Sequence, residues 1–501
     1  MTQGVPRSAR DDTNVNTADR QLAIWLFLLT FVVSAYFQAG GGWNQNSQFD
    51  LTRAIVERHT FSIDAYPNTG DVSIAGHHIY SNKSPALSWI AAIPYAILYA
   101  IERASGIDAN SIEAITLNAY LCTLICVALP AAFIPMMLYR YGRAKGFSAP
   151  WSASIAVITA LCTQLLPYST IFMLHAPSGA LLLFAATSTR RAPAGFAAGL
   201  ATAMNYLCAP AVIIFAFTRE RFSRFIAGAI PPLALLVIYQ RICFGSFFSS
   251  SIAHENERFL TKGAAFGVFR LPSLEAIYGI SVSSYRGLFY FAPVLIMAIG
   301  GAILWFRQGD DRRDLLGIVL IFVTFFIINS SFNGWEGGFA IGARYLVPVI
   351  PLLALAMLRC RGWLRPMMFA LGAVSFVINF AATAVDPQPS GSIPRPLTEY
   401  IFPLLIHGRF SPSVPITPPW SAATFTGHTS VNRMTFDEAV VFARHPPGSY
   451  AAEWASFNLG EPFFGAGDAR SLIPIAIVIA TGCVAIARKV RMIMKEGRQG
   501  E

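Results

Sequence analysis

The chain has 501 residues, of which 54% are hydrophobic and only 13% charged, and its mean hydropathy is +0.50. Soluble domains carry roughly 25% charged residues, so a single soluble globule is excluded. The net charge of +10 would raise nucleic acid as a partner in a soluble protein. Here the basic residues sit in short clusters beside apolar runs, the pattern of cytoplasmic loops in a membrane protein.

Residues 1–20 are polar, lack a helical period and read as a disordered cytoplasmic tail. Apolar runs long enough for a bilayer core of roughly 30 Å then predict spans near 21–41, 113–139, 150–167, 174–189, 224–241, 289–306, 315–331, 345–359, 366–386 and 471–487. Two further runs are expected not to cross. Residues 85–101, with Pro85 and Pro94, read as a helix lying along the outer interface. Residues 195–217 read as two half-helices that dip in and return, broken near Asn205, Tyr206 and Pro210. The Gly195-xxx-Gly199 spacing would let that pair pack closely.

This arrangement places 22 of the 37 basic residues on one side, with both termini, as expected for the cytoplasmic face of a membrane protein. The other side receives three large loops, 42–112, 242–288 and 387–470, and all eight histidines. A transporter would keep ionisable groups inside its spans. The predicted spans are nearly free of them, so the chemistry is expected at the outer membrane interface. The seven cysteines fall in or at the ends of apolar segments and form no disulfide framework or CxxC pair. The chain thus divides into the tail 1–20, a transmembrane module 21–386, an outer loop-rich region 387–470, and a last span with a basic tail, 471–501. The 387–470 region is rich in proline, serine and glycine, but its aromatic residues, such as Tyr400, Trp420 and Trp454, argue for a small subdomain over the cavity.

The first outer loop reads GGWNQNSQFDLTRAIVERHTFSIDAY, then GHHIYSNKSPALSWIAAIPY. Asp50, Arg53 and Glu57 are spaced to share one face of a short helix. A carboxylate with a cation one turn away suits a general base beside an anion site; a solvated amphipathic helix with a weak ion pair gives the same spacing. Lys83, in a Ser-Asn-Lys-Ser-Pro turn, suits a phosphate at headgroup level or a snorkelling contact. Arg286 and Arg344 each stand at the outer end of a span, as phosphate ligands or as interface anchors. Trp335 between glycines is either a sugar-stacking platform or an aromatic-belt residue. No HxxxH or HExxH spacing supports a metal site, so no cofactor follows and a divalent metal stays open.

Together these segments resemble GT-C-fold glycosyltransferases that use polyprenyl-phosphate sugars, in particular the family 39-like enzymes, which include protein O-mannosyltransferases and aminoarabinose transferases. The resemblance rests on the first outer loop, on SSYRGLFYFAP and on NGWEGGFAIGARYLVP. It implies an all-α polytopic bundle of about ten full spans plus the re-entrant pair. It also implies Asp50 as the catalytic base and Arg53 and Lys83 on the lipid phosphate, with Arg286 and Arg344 assisting. In PYSTIFMLHAPSGALL, His175 stands where a second acidic residue is common, either as a structural residue or as a catalytic one that hydrogen-bonds the acceptor hydroxyl or positions Asp50. Glu57, Tyr80, Trp335, Glu336 and Tyr345 complete the expected substrate contacts. The implied partners are the lipid bilayer, a polyprenyl-phosphate sugar donor, and a lipid, glycan or protein acceptor; nucleic acid is not among them. The implied activity is transfer of the sugar to an acceptor hydroxyl on the outer face, with inversion. A lipid-carrier binding protein or flippase, and a lipid-linked glycan polymerase or ligase, are the alternatives.

Overall fold

The computed structural model describes residues 17–66, 69–218, 221–391, 393–406, 454–465 and 467–499. Six of its helices are long and apolar enough to cross a membrane: Thr17–Ala35, Ile112–Ala144, Phe222–Phe244, Arg312–Ser331, Leu364–Val385 and Ala469–Lys495. All six fall on expected spans. The other four expected spans are shorter apolar helices at Ala149–Leu161, His175–Thr187, Pro293–Gln308 and Arg344–Met357. A 13-residue helix such as His175–Thr187 reaches only about 20 Å. Turns such as Leu165–Tyr168 carry the chain the remaining distance. The chain is a polytopic helical membrane protein, and its large exposed apolar residues, among them Ile213, Phe217, Ile238, Phe369 and Ile477, lie on outward helix faces where lipid takes the place of water.

The run 195–217 breaks where the sequence places the break. Helix Arg191–Met204 stops at Asn205, which turns extended (φ −150°), and helix Ala209–Thr218 follows. A Cβ added at Gly195 would lie 1.8 Å from the Phe225 carbonyl oxygen, and one at Gly199 would lie 2.7 Å from that of Ala229. On the facing helix, a Cβ at Gly228 would lie 1.9 Å from the Ala192 carbonyl oxygen. Small residues therefore let the backbones touch. Two of these contacts, Gly195 with Phe225 and Gly199 with Ala229, rise together, and Phe217 near the end of Ala209–Thr218 packs on Phe222 at 5.6 Å, so Arg191–Met204 and Phe222–Phe244 start at the same end. Ala209–Thr218 must carry the chain back between them, which is a re-entrant pair.

Several expected cytoplasmic basic clusters meet at that same end of the bundle. Arg143 pairs with Asp19 at 2.9 Å, Lys145 with Asp311 at 2.5 Å, Arg359 with Asp311 at 3.7 Å, and Lys489 donates to Gln21 at 2.7 Å.

The opposite end carries the first large loop. It holds helix Trp43–Glu57, an antiparallel hairpin of Val72–Ala75 with His78–Ser81, and helix Ala86–Ser105. The last of these is two-sided: Ala91, Tyr95 and Glu102 are buried, while Ile93, Ile97 and Ile101 face outward along one stripe. Beyond the last loop, Phe457–Asn458 pairs with Phe37–Gln38, and the Trp454 indole donates to the Ala39 carbonyl at 3.0 Å. The far end of the 387–470 region is thereby tied to the base of the first loop. Most of the expected subdomain, 407–453, and most of the expected tail, 1–16, lie outside the described residues.

Candidate functional site

The hairpin brings the first charges of the site together. Its register sets Val72 opposite Ser81, so Asp71 arrives opposite Asn82 with Lys83 next to it. The Lys83 Nζ lies 2.8 Å from Asp71 Oδ2. A loop from the other large outer segment then adds to the hairpin edge. Ser73 donates to the Ser251 carbonyl at 2.8 Å, Ser251 donates to the Asn82 carbonyl at 2.9 Å, and the Asn256 amide donates to the Val72 carbonyl at 3.0 Å. These bonds hold Glu255 against Asn82, whose amide donates to Glu255 Oε1 at 2.5 Å. Burial pushes the Glu255 carboxyl up to about 7, with Asp71 adding to the rise and Lys83 opposing it.

These residues form one wall of a cavity of about 460 Å³. The start of the first-loop helix, Asn44 and Gln45, forms another. The third is the loop before Arg344, including Glu336 and the glycines Gly337 and Gly338. Both glycines have positive φ (+75° and +60°), and a Cβ at Gly337 would crowd Arg344 Nε at 2.9 Å. The Arg344 guanidinium lines the cavity, stacks over the Tyr345 ring at 4.9 Å and donates to its hydroxyl at 3.0 Å. Two cations, Lys83 and Arg344, thus face three carboxyls, Asp71, Glu255 and Glu336, across walls rich in carboxamides. Such a set can hold an anion and accept a proton in one place.

A smaller compartment of about 140 Å³ continues inward past Lys83, Glu255, Phe332 and Tyr345. His175 lines it, 2% exposed, with edge-on ring contacts to Tyr168 (5.6 Å) and Tyr345 (5.9 Å).

Of the residues expected from sequence, Lys83, Arg344, Glu336 and Tyr345 line the outer cavity, and His175 the inner one. The others are placed elsewhere. Asp50 is 1% exposed, lies near Tyr66 and lines neither compartment. Arg53 is committed to Glu57 at 2.7 Å and to Asn110 at 2.6 Å, over the Tyr66 ring at 4.6 Å, and the Tyr95 hydroxyl also donates to Glu57, at 2.5 Å. The helix face that carries Asp50, Arg53 and Glu57 is therefore turned into protein, and only the helix start reaches the cavity. Arg286 is fully buried behind the cavity wall. Its three nitrogens donate to the carbonyls of Glu336 (2.9 Å), Gly338 (2.8 Å) and Tyr285 (3.1 Å), so it fixes the glycine loop, and it lines neither compartment. Trp335 packs on Gly279, where a Cβ would meet its ring at 2.3 Å, and edge-on to Tyr285. Tyr80 packs between His78 and Phe244 on the hairpin.

Asp71, Asn82 and Glu255 were not singled out in the sequence. The stretch GDVSIAGHHIYSN offers a signal for the first two, since two short β-prone runs around Ala-Gly-His predict a turn that would pair Asp71 with Asn82. Glu255 has no local signal, being delivered by contacts about 170 residues away in sequence. Among the described residues no three His, Cys, Asp or Glu side chains gather as a metal-ligand set.

No family model and no curated protein matches the chain. Among solved structures it is similar to ArnT from Cupriavidus metallidurans, crystallised bound to undecaprenyl phosphate. Identity is 14% and the TM-score 0.44, with 86% of this chain and 75% of that one covered.

Proposed function

We propose that the protein is a membrane glycosyltransferase that takes a sugar from a polyprenyl-phosphate donor and transfers it to an acceptor hydroxyl at the outer face of a bacterial inner membrane. The donor phosphate sits between Lys83 and Arg344, and the prenyl chain runs out into the bilayer between helices. Glu255 accepts the proton of the acceptor hydroxyl. The hydroxyl oxygen bonds to the anomeric carbon as the bond from that carbon to the phosphate oxygen breaks, inverting the centre and releasing polyprenyl phosphate. Lys83 and Arg344 meet the charge that grows on the leaving phosphate, where electrostatic stabilisation contributes most. Asp71 holds Lys83 in place.

The observation that carries this reading is the pairing, in one cavity, of a carboxyl raised to about 7 with two inward cations. A general base works best when its pKa is close to the working pH. The first-loop and Gly-Trp-Glu-Gly-Gly motifs support the donor class. The test is transfer from a panel of radiolabelled polyprenyl-phosphate sugars to envelope extract by the purified protein. Labelled product from wild type that is absent with Lys83→Ala and with Glu255→Gln supports the reading. Equal product from all three proteins contradicts it.

A further inference from the structure

The inner compartment has a chemistry of its own. Four buried side chains that line it carry polar atoms with no hydrogen-bond partner among the described residues: both ring nitrogens of His175, both amide atoms of Asn329, the amide nitrogen of Asn205 and the amide oxygen of Asn82. The first three are the most buried of them, at 2%, 1% and 5% exposure. A buried polar atom left unpaired costs about 1–3 kcal/mol, so one is rare in a folded protein and several around one space are rarer. Asn205 is also half-committed: its Oδ1 accepts from the Leu207 amide at 3.1 Å, while its NH₂ has no partner among the described residues.

The remaining lining mixes apolar side chains, Leu174, Ile252 and Phe269 among them, with polar ones such as Asn44, Ser84 and Tyr206, and among the described residues the charged ones that line it are Lys83 and Glu255, both shared with the outer cavity.

We infer that this compartment is the seat of the transferred sugar and that His175, Asn205 and Asn329 bind its ring hydroxyls. The inference rests on the donor reading above and adds the residues that hold the sugar. Carboxamides and an imidazole offer both donors and acceptors, which is what ring hydroxyls require. Placement of the ring there also sets its anomeric carbon at the mouth, beside Lys83 and Glu255.

The test measures binding of two probes by titration calorimetry in detergent: polyprenyl phosphate alone, and the same lipid phosphate carrying a hexose. The proteins are wild type, Asn329→Leu and His175→Phe, with Lys83→Ala as the phosphate control. Wild type is expected to bind the hexosyl lipid about tenfold or more tighter than the bare lipid phosphate, since several buried groups gain partners. Asn329→Leu and His175→Phe are expected to lose that margin and to keep bare lipid phosphate binding within about twofold. Their melting temperatures should not fall, because replacing an unpaired buried polar group by an apolar one of similar shape is neutral or stabilising. Lys83→Ala should weaken both probes. If the variants keep the hexose margin, or lose both probes together with thermal stability, the sugar-seat inference is overturned and the donor reading stands. If wild type binds neither probe, the donor reading falls and the inference goes with it.

Discussion

The first large loop holds two charge clusters that look alike in sequence and behave differently in the fold. Asp50, Arg53 and Glu57 share a helix face with Tyr66, Tyr95 and Asn110 packed against it, and the Arg53–Glu57 pair is nearly sealed, at 3% and 10% side-chain exposure. Asp71 and Lys83 are joined across a hairpin at 14% and 16% exposure, and they open onto a cavity that Glu255 and Arg344 complete from distant parts of the chain. The first pair is closed over by aromatic rings, whereas the second holds a cation at a cavity, where the proposed donor phosphate would meet it.

The comparison can be sharpened from its reactive side first. Glu255→Gln should lower turnover by roughly 10²–10⁴-fold with donor affinity little changed, because the general base is lost and the cations remain. Its pH dependence has a defined sign. With its carboxyl raised to about 7, Glu255 is protonated and idle below that pH and ionised above it. Wild-type turnover should therefore climb with pH through about 7, and Glu255→Gln should lose that inflection. A profile that keeps its inflection in the variant assigns the titration to another group. Lys83→Ala should cost roughly 10²–10³-fold in turnover and weaken lipid phosphate binding, as expected for one lost contact to a developing anion.

The closed cluster should respond through stability. Arg53→Ala leaves the Glu57 carboxylate buried without its cation, and breaking such a pair costs about 3–5 kcal/mol. Thermal unfolding of the detergent-solubilised protein should show a clear drop in melting temperature, and the fraction that remains folded should keep its turnover. The smallest effect is expected from Asp50→Asn, an isosteric change outside both compartments, which should leave turnover within a few-fold of wild type. A dead Asp50→Asn enzyme would merge the two clusters into one site.

The same contrast explains how much was legible in the sequence. The six long spans follow from apolar runs, and the re-entrant pair from basic residues at both ends of 195–217 with a break at Asn205, because lipid forces every backbone group to find a partner within the segment. Lys83 and Arg344 were legible as cations at the ends of apolar segments, and they line the cavity. Arg286 has the same signature, yet its guanidinium is spent on three carbonyls of the chain. Spacing along a helix shows which residues share a face but not what covers that face, so the packing of Tyr66 and Asn110 against Arg53 has no signal in it. Glu255 reaches Asn82 only through the added loop edge, a contact that no local pattern announces.

The central claim is that the site lies at Lys83 and Glu255 and not at Asp50. The most direct test is release of polyprenyl phosphate from a synthetic polyprenyl-phosphate hexose, in the presence of envelope extract, by wild type, Asp50→Asn, Lys83→Ala and Glu255→Gln side by side. Release by wild type and Asp50→Asn, with little from the other two, is the expected result. Release by Lys83→Ala and Glu255→Gln but none by Asp50→Asn would contradict it.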